Sequence, residues 1–84
     1  MLLSTLLLKI KIASPDTTFF NGDAYSITIK TIDGVITVLP KHVPLVSIIK
    51  DGYVRVKDQE QIDIKRGFIT VNKDSSVDVL ISEL

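Results

Sequence analysis

Apolar and polar residues alternate with period two along most of this chain, which predicts strands. Leu6, Leu8, Ile10 and Ile12 alternate with Leu7, Lys9 and Lys11 to give a first strand. Phe19-Phe20-Asn21-Gly22 reads as a short extended piece ending in a turn. From Ala24 to Thr31, Tyr25, Ile27 and Ile29 face one way and Ser26, Thr28 and Lys30 the other. Val35 to Leu39, Leu45 to Ile49, Tyr53 to Lys57, Ile62 to Lys65, Phe68 to Val71 and Val77 to Ile81 complete the set. Turn signals fall between them: Ser14-Pro15-Asp16, Asp33-Gly34, Asp51-Gly52, the polar Asp58 to Gln61, Gly67, and Lys73 to Ser76. Roughly eight to ten short strands with a turn about every 8–12 residues fit an all-β sandwich or barrel. Only Leu45, Ile48 and Ile49 fit a helical turn, and Pro44 and Asp51-Gly52 leave that turn no room to extend.

Gly34 to Gly52 organises the rest. It holds two of the three prolines, two of the four glycines and the only histidine. Proline fixes φ, removes a donor and pushes the preceding residue into an extended conformation. Neither a helix nor a central strand passes through both Pro40 and Pro44. The prediction is strand, rigid corner at Pro40-Lys41-His42-Val43-Pro44, strand, with tight turns at the flanking glycines.

Composition narrows the function classes. With 84 residues the chain is one small domain, residues 1–84, and its 45% apolar content belongs to a folded chain. Ten basic and ten acidic residues cancel, so no net field selects nucleic acid or an acidic partner. There is no cysteine, hence no disulfide and no thiolate chemistry. Met1 to Leu8 has no basic residue before its apolar run and is too short to span a bilayer, so it reads as strand and not as a targeting segment.

The chemical inventory is thin. Ser14 or Ser47 with His42 and Asp33 or Asp51 spells a triad on paper, but no nucleophile elbow accompanies it. One histidine and no cysteine exclude the usual zinc spacings. Asp58, Glu60 and Asp63 lack the ligand spacing of a calcium loop and read as a solvated hairpin tip. No glycine-rich phosphate cradle is present. Arg55, Lys57, Lys65, Arg66 and Lys73 form a basic stripe only if Asp58, Asp63 and Asp74 are ignored, and few aromatics stand ready to stack bases, which argues against an OB-fold reader. The sequence thus implies no catalytic residue, metal, cofactor or nucleic-acid partner. His42 reads as a corner residue capping a backbone group, or as a contact residue on a rigid surface.

Taken in order, Gly34 to Leu39, then Pro40-Lys41-His42-Val43-Pro44-Leu45, then Lys50-Asp51-Gly52 resemble the N-terminal domain of the epsilon subunit of rotary F-type ATP synthases (delta in mitochondria). Ser14-Pro15-Asp16, Phe20-Asn21-Gly22, the Gly22 to Gly34 spacing, and Gly67-Phe68 with Val71 extend the likeness along nearly the whole chain. The sequence departs from the family pattern at several points. Thr37 replaces a common glycine, Lys41 stands where glycine or asparagine is frequent, and Lys65-Arg66-Gly67 replaces a typical Ser-Gly-Gly. The tip near Gln59 is shorter.

The resemblance implies a roughly ten-stranded β-sandwich, a non-catalytic rotor subunit at the foot of the central stalk. Its partners would be the gamma subunit, the polar loops of the c-ring, and alpha and beta through the complex. It would lie peripherally on the cytoplasmic face of a bacterial plasma membrane, without inserting. Positions matching the gamma-facing side are Ser14, His42 and Ser47. Ile32, Asp33, Gly34 and Val35 match the ring-facing end, where the family often has an acidic residue at the position of Val35. Pro40, Pro44, Gly52 and Gly67 are the structural corner and turns. Many bacterial relatives continue into a helical hairpin that brakes ATP hydrolysis; a protein ending at Leu84 would lack both the hairpin and that brake. Two other readings stand beside this one: an epsilon-like paralogue in a specialised F-type-like ATPase with an altered or absent ring contact, and a free-standing β-sandwich binding module.

Overall fold

The computed structural model describes residues 7–84, and through them run seven strands: β1 (Leu8–Ala13), β2 (Thr18–Ala24), β3 (Ile27–Thr31), β4 (Gly34–Val38), β5 (Leu45–Val56), β6 (Ile62–Val71) and β7 (Ser76–Glu83). Leu6 and the stretch before it, read as the start of the first strand, lie outside the described residues. The hydrogen-bonded order is β2-β1-β7-β6-β5-β3-β4. All pairs are antiparallel except β1 with β7.

The all-β sandwich is as expected, with seven strands in place of about ten. The difference lies in β5 and β6. The sequence reading breaks each in two, at Asp51-Gly52 and at Gly67, but both strands run through these points and keep one mutual register from Leu45↔Val71 to Val54↔Ile62, skipping only Asp51 and Lys65 at the bend. They bend there without turning. The first half of β5 and the second half of β6 join β7, β1 and β2, whereas β3 pairs only with Tyr53 to Val56 of β5. One ladder therefore feeds both layers. Ile12 of β1 shares a cleft with Val54 and Val56 of β5, which places the two layers face to face.

The bend is written in the side chains. Along β5 the inward positions are Leu45, Ser47 and Ile49, then Val54 and Val56. Along β6 they are Ile62 and Ile64, then Gly67, Ile69 and Val71. Each strand carries two consecutive exposed residues at the change of phase, Lys50-Asp51 and Lys65-Arg66. Opposite Arg66 and Gly67, β7 shifts register by one residue, and such a bulge sharpens local bending. Gly52 and Gly67 are needed for close approach. A Cβ on Gly52 would overlap the Lys30 carbonyl oxygen, and one on Gly67 would press on the Leu80 carbonyl oxygen.

Two further turns differ from expectation. The β3–β4 hairpin turns at Ile32-Asp33, one residue before the predicted Asp33-Gly34. The Thr31 hydroxyl donates to the Gly34 carbonyl (3.1 Å) and accepts from the Asp33 N–H (3.0 Å), closing the turn early. Gly34, at φ 118°, then supplies the left-handed step on entering β4. In β2 the chain continues past Gly22 to Ala24, and the corner falls at Tyr25-Ser26. Tyr25 accordingly points to solvent while Ile27 and Ile29 are buried.

The core is a single cluster of Leu, Ile and Val from six of the strands, among them Leu8, Ile10, Ile12, Ile29, Ile49, Ile69, Val79 and Ile81. It contains no aromatic ring. Burying each such side chain stabilises the fold by about 1.5–3 kcal/mol. No buried side-chain nitrogen or oxygen among the described residues lacks a hydrogen-bond partner.

Candidate functional site: an exposed apolar row

The outer face of the β1-β7-β6-β5 layer can be laid out from the strand register. Ile48 lies opposite Phe68, Phe68 opposite Leu80, and Leu80 beside Ala13. The backbone N–H of Ile32 reaches the Ile48 carbonyl at 3.0 Å and adds the hairpin turn to the same row. Ile32, Ile48, Phe68 and Leu80 are all roughly half exposed, and neighbouring Val46 is 71% exposed. On an ordinary solvated sheet face these positions would be polar. A contiguous apolar patch of this kind marks an interaction surface. A shallow cleft of about 600 Å³ runs along it, lined in part by Ser14, Val46, Phe68 and Leu80.

The sequence-predicted contact residues fall around this row. Ser14 stands at its β1 end, half-buried, and its hydroxyl accepts the Thr17 N–H (3.2 Å) to cap the turn into β2. Ser47 alternates inward from the row and donates to an Asp33 carboxylate oxygen at 3.1 Å. The structure therefore joins a predicted gamma-side residue to a predicted ring-side residue, and pins the β3–β4 hairpin against β5. Asp33, Gly34 and Val35 are exposed at that hairpin end, with Val35 57% exposed.

The proline corner lies farther along the same edge. The His42 N–H bonds the Leu39 carbonyl (3.1 Å) across Pro40-Lys41, with Lys41 at φ 67°. Proline followed by a left-handed residue is the type II turn pattern, which explains why glycine or asparagine suits the position of Lys41. The Lys41 N–H donates to the Ser75 hydroxyl (2.9 Å), tying the corner to the β6–β7 turn. Pro44 is exposed and leads directly into β5. The His42 ring is half-buried and bonds through Nδ1 to the Val43 carbonyl at 2.6 Å. That ring engages neither Ser47 nor Asp33, so the paper triad is not assembled. Asp63 accepts from Gln61 (2.9 Å) beside the hairpin tip that carries Asp58 and Glu60. Arg55, Lys57, Lys65, Arg66 and Lys73 are dispersed over β5, the tip, β6 and the β6–β7 turn.

The sequence reading missed Val46, Ile48, Phe68 and Leu80 as a surface. The signal was there: Leu45 to Ile49, Phe68 to Val71 and Val79 to Ile81 are apolar on both faces of their strands. Thr37, where the resemblance expects glycine, meets Thr28 across the hairpin with their hydroxyls 3.2 Å apart.

A family model described as the β-sandwich domain of the ATP synthase delta/epsilon chain matches residues 7–84. The chain is 33% identical over 70 residues to the ATP synthase epsilon chain of Alkalihalophilus pseudofirmus, an alignment covering 80% of this chain and 53% of that one. It is 34% identical over 82 residues to the mitochondrial ATP synthase subunit delta of Caenorhabditis elegans, covering 92% of this chain and 50% of that one. The chain thus spans about half the length of these relatives. Its fold is similar to that of a chain in the Euglena gracilis mitochondrial ATP synthase OSCP/F1/c-ring structure. There the TM-score is 0.77 at 23% identity, covering 93% of this chain and 52% of that one.

Proposed function

The chain belongs to the ATP synthase delta/epsilon β-sandwich family, and from that premise we propose that it is a non-catalytic rotor subunit of an F-type ATP synthase or ATPase, docking on gamma and linking it to the c-ring. The apolar row from Ile32 through Ile48 and Phe68 to Leu80 carries this reading, because it is a contiguous apolar face that none of the other described residues covers. Gamma seats on that face, with Ser14 at one end and the rigid His42 corner alongside. The β3–β4 hairpin end, Ile32 to Val35, reaches toward the ring. Torque transfer needs no reacting group, only a stiff body with two adhesive surfaces. The protein works peripherally, on the cytoplasmic side of a bacterial membrane.

The deciding experiment is a pull-down of tagged chain from its native membranes with every co-purifying protein identified. Recovery of alpha, beta, gamma and c together supports the reading; recovery of no ATPase subunit overturns it.

A second reading is favoured by the exposed Ile32 and Val35. A hairpin end bearing two apolar side chains suits polar ring loops poorly, so this subunit would serve an epsilon-like role in a specialised F-type-like complex with a changed ring contact. Alpha- and beta-like subunits without a c-ring in the same pull-down would select it.

A further inference from the structure

One end of this outer face, beside the apolar row, is charged in an unusual way. Lys50 and Arg66 lie directly opposite each other on β5 and β6. Each sits two residues along its strand from Ile48 or Phe68, so both share the face of the row, and both are exposed. Like charges directly opposed across a strand pair destabilise it. Relief within the chain is slight. Arg66 Nε lies 3.9 Å from Glu83 Oε1, with the two side chains 67% and 49% exposed. Such a solvated pair contributes little, and Lys50 has no ion pair among the described residues.

The opposite end of the face differs. There Lys11 and Asp78 are neighbours on adjacent strands and offset one another. Lys9, farther along β1 on the same side, interacts with the Asp74 carboxylate, so the opposed like-charge pair is confined to one end of the face. A cleft of about 260 Å³ at that end places Lys50 and Arg66 beside Ile48 and Phe68. Arginine presents a planar fork that takes a carboxylate through two parallel hydrogen bonds. Apolar neighbours exclude water once a partner covers them, which strengthens that contact.

We propose that Lys50 and Arg66 form a carboxylate-binding end to the docking face, and that the gamma subunit seats an acidic side chain between them when its apolar surface covers Ile48, Phe68 and Leu80. This rests on the reading that gamma docks on this face, and it adds what gamma must present there. The like-charge pair is unfavourable in the free chain and becomes favourable in the complex. It thus raises selectivity for a gamma subunit carrying that carboxylate over one that lacks it.

The test uses purified chain and the gamma subunit of the same cells, with dissociation constants measured by calorimetry at low and high NaCl. Three proteins are compared: the unaltered chain, the double variant Lys50→Gln/Arg66→Gln, and Phe68→Ala. The double variant is expected to melt at or slightly above the temperature of the unaltered free chain, to bind gamma at least tenfold more weakly at low salt, and to lose most of the salt dependence. Phe68→Ala is expected to weaken binding at both salt concentrations and leave the salt dependence intact. If Phe68→Ala weakens binding while the double variant changes neither affinity nor salt dependence, the carboxylate site is wrong and the docking face stands. If neither variant affects binding, both fail. If the double variant binds gamma normally but no longer sediments with phosphatidylglycerol vesicles that retain the unaltered chain, the cations serve a lipid surface and the proposal is overturned.

Discussion

Lys41 holds a left-handed conformation at φ 67°, which costs a residue with a Cβ about 1–2 kcal/mol relative to glycine. Its backbone N–H still bonds Ser75, so the strain is confined to the side-chain position. Lys41→Gly should therefore stabilise the domain by ~0.5–1 kcal/mol, after allowing for the added entropy of glycine in the unfolded chain. A thermal melt should show a rise of a few degrees. Asp74 is a second single-residue control, at the entry to β7. Its carboxylate accepts from the Ser76 hydroxyl (2.6 Å) and the Ser76 N–H (3.2 Å). These bonds, the hydroxyl foremost, hold its pKa below the ordinary 3.8. A lowered folded-state pKa gives stability that is fully present above the unfolded value and lost as pH falls through the folded one. Asp74→Asn should accordingly melt lower than the unaltered chain at neutral pH, and the two melting curves should converge as the medium is acidified below 3.8.

At the scale of elements, the sequence locates every strand, but it shifts two turns by a few residues and reads two bends as breaks. Asp51-Gly52 has the composition of a hairpin turn, and local chemistry alone does not distinguish a turn from a bend. The distinguishing signal is a change of phase. Inward positions run Leu45, Ser47, Ile49 and then Val54, Val56, and β6 answers with its own break between Ile64 and Gly67. A turn would reverse the chain, whereas paired phase breaks keep two strands together while their shared core moves from one face to the other. The glycine at this bend is selected by a close contact that lies far away in sequence, the Lys30 carbonyl of β3. Gly52→Ala should lower stability by roughly 3 kcal/mol or more, because backbone and not a flexible side chain occupies the space. Urea titration of the two proteins would measure it, and a loss under 1 kcal/mol would mean that β3 can shift away. The candidate site is less legible than the strands. Of the residues that the resemblance singles out, Ser47 and Asp33 meet at the β5 edge with His42 farther along it, whereas Ser14 lies at the β1 end of the row. The apolar row escapes the sequence reading, because strands apolar on both faces read as fully buried until the pairing shows which face has no second layer among the described residues.

For the molecule as a whole, the β5–β6 ladder, which keeps its register through the bend, joins the two layers into a single hydrogen-bonded sheet. That continuity suits the rotor role proposed above. The proposed role would also make the molecule apolar in two places for two reasons, inside to fold and outside to dock. Val79 and Leu80 separate these roles within one peptide bond: Val79 is 2% exposed in the core and Leu80 is 50% exposed on the row. Val79→Asp buries an unpaired charge, costing several kcal/mol, and should unfold the domain as judged by loss of its β-type circular dichroism. Leu80→Asp leaves the charge in water, so the free domain should stay folded with a melting temperature within a few degrees of the unaltered chain. Its affinity for gamma should drop at least tenfold, since the same charge would be buried only on docking (about 1.4 kcal/mol per tenfold). Were Leu80→Asp to unfold the domain as well, the outer face would belong to the folding core and the adhesive row would lose its rationale. Were it to fold and bind gamma unchanged, the stiff body would remain but its contact with the stalk would have to lie on another face.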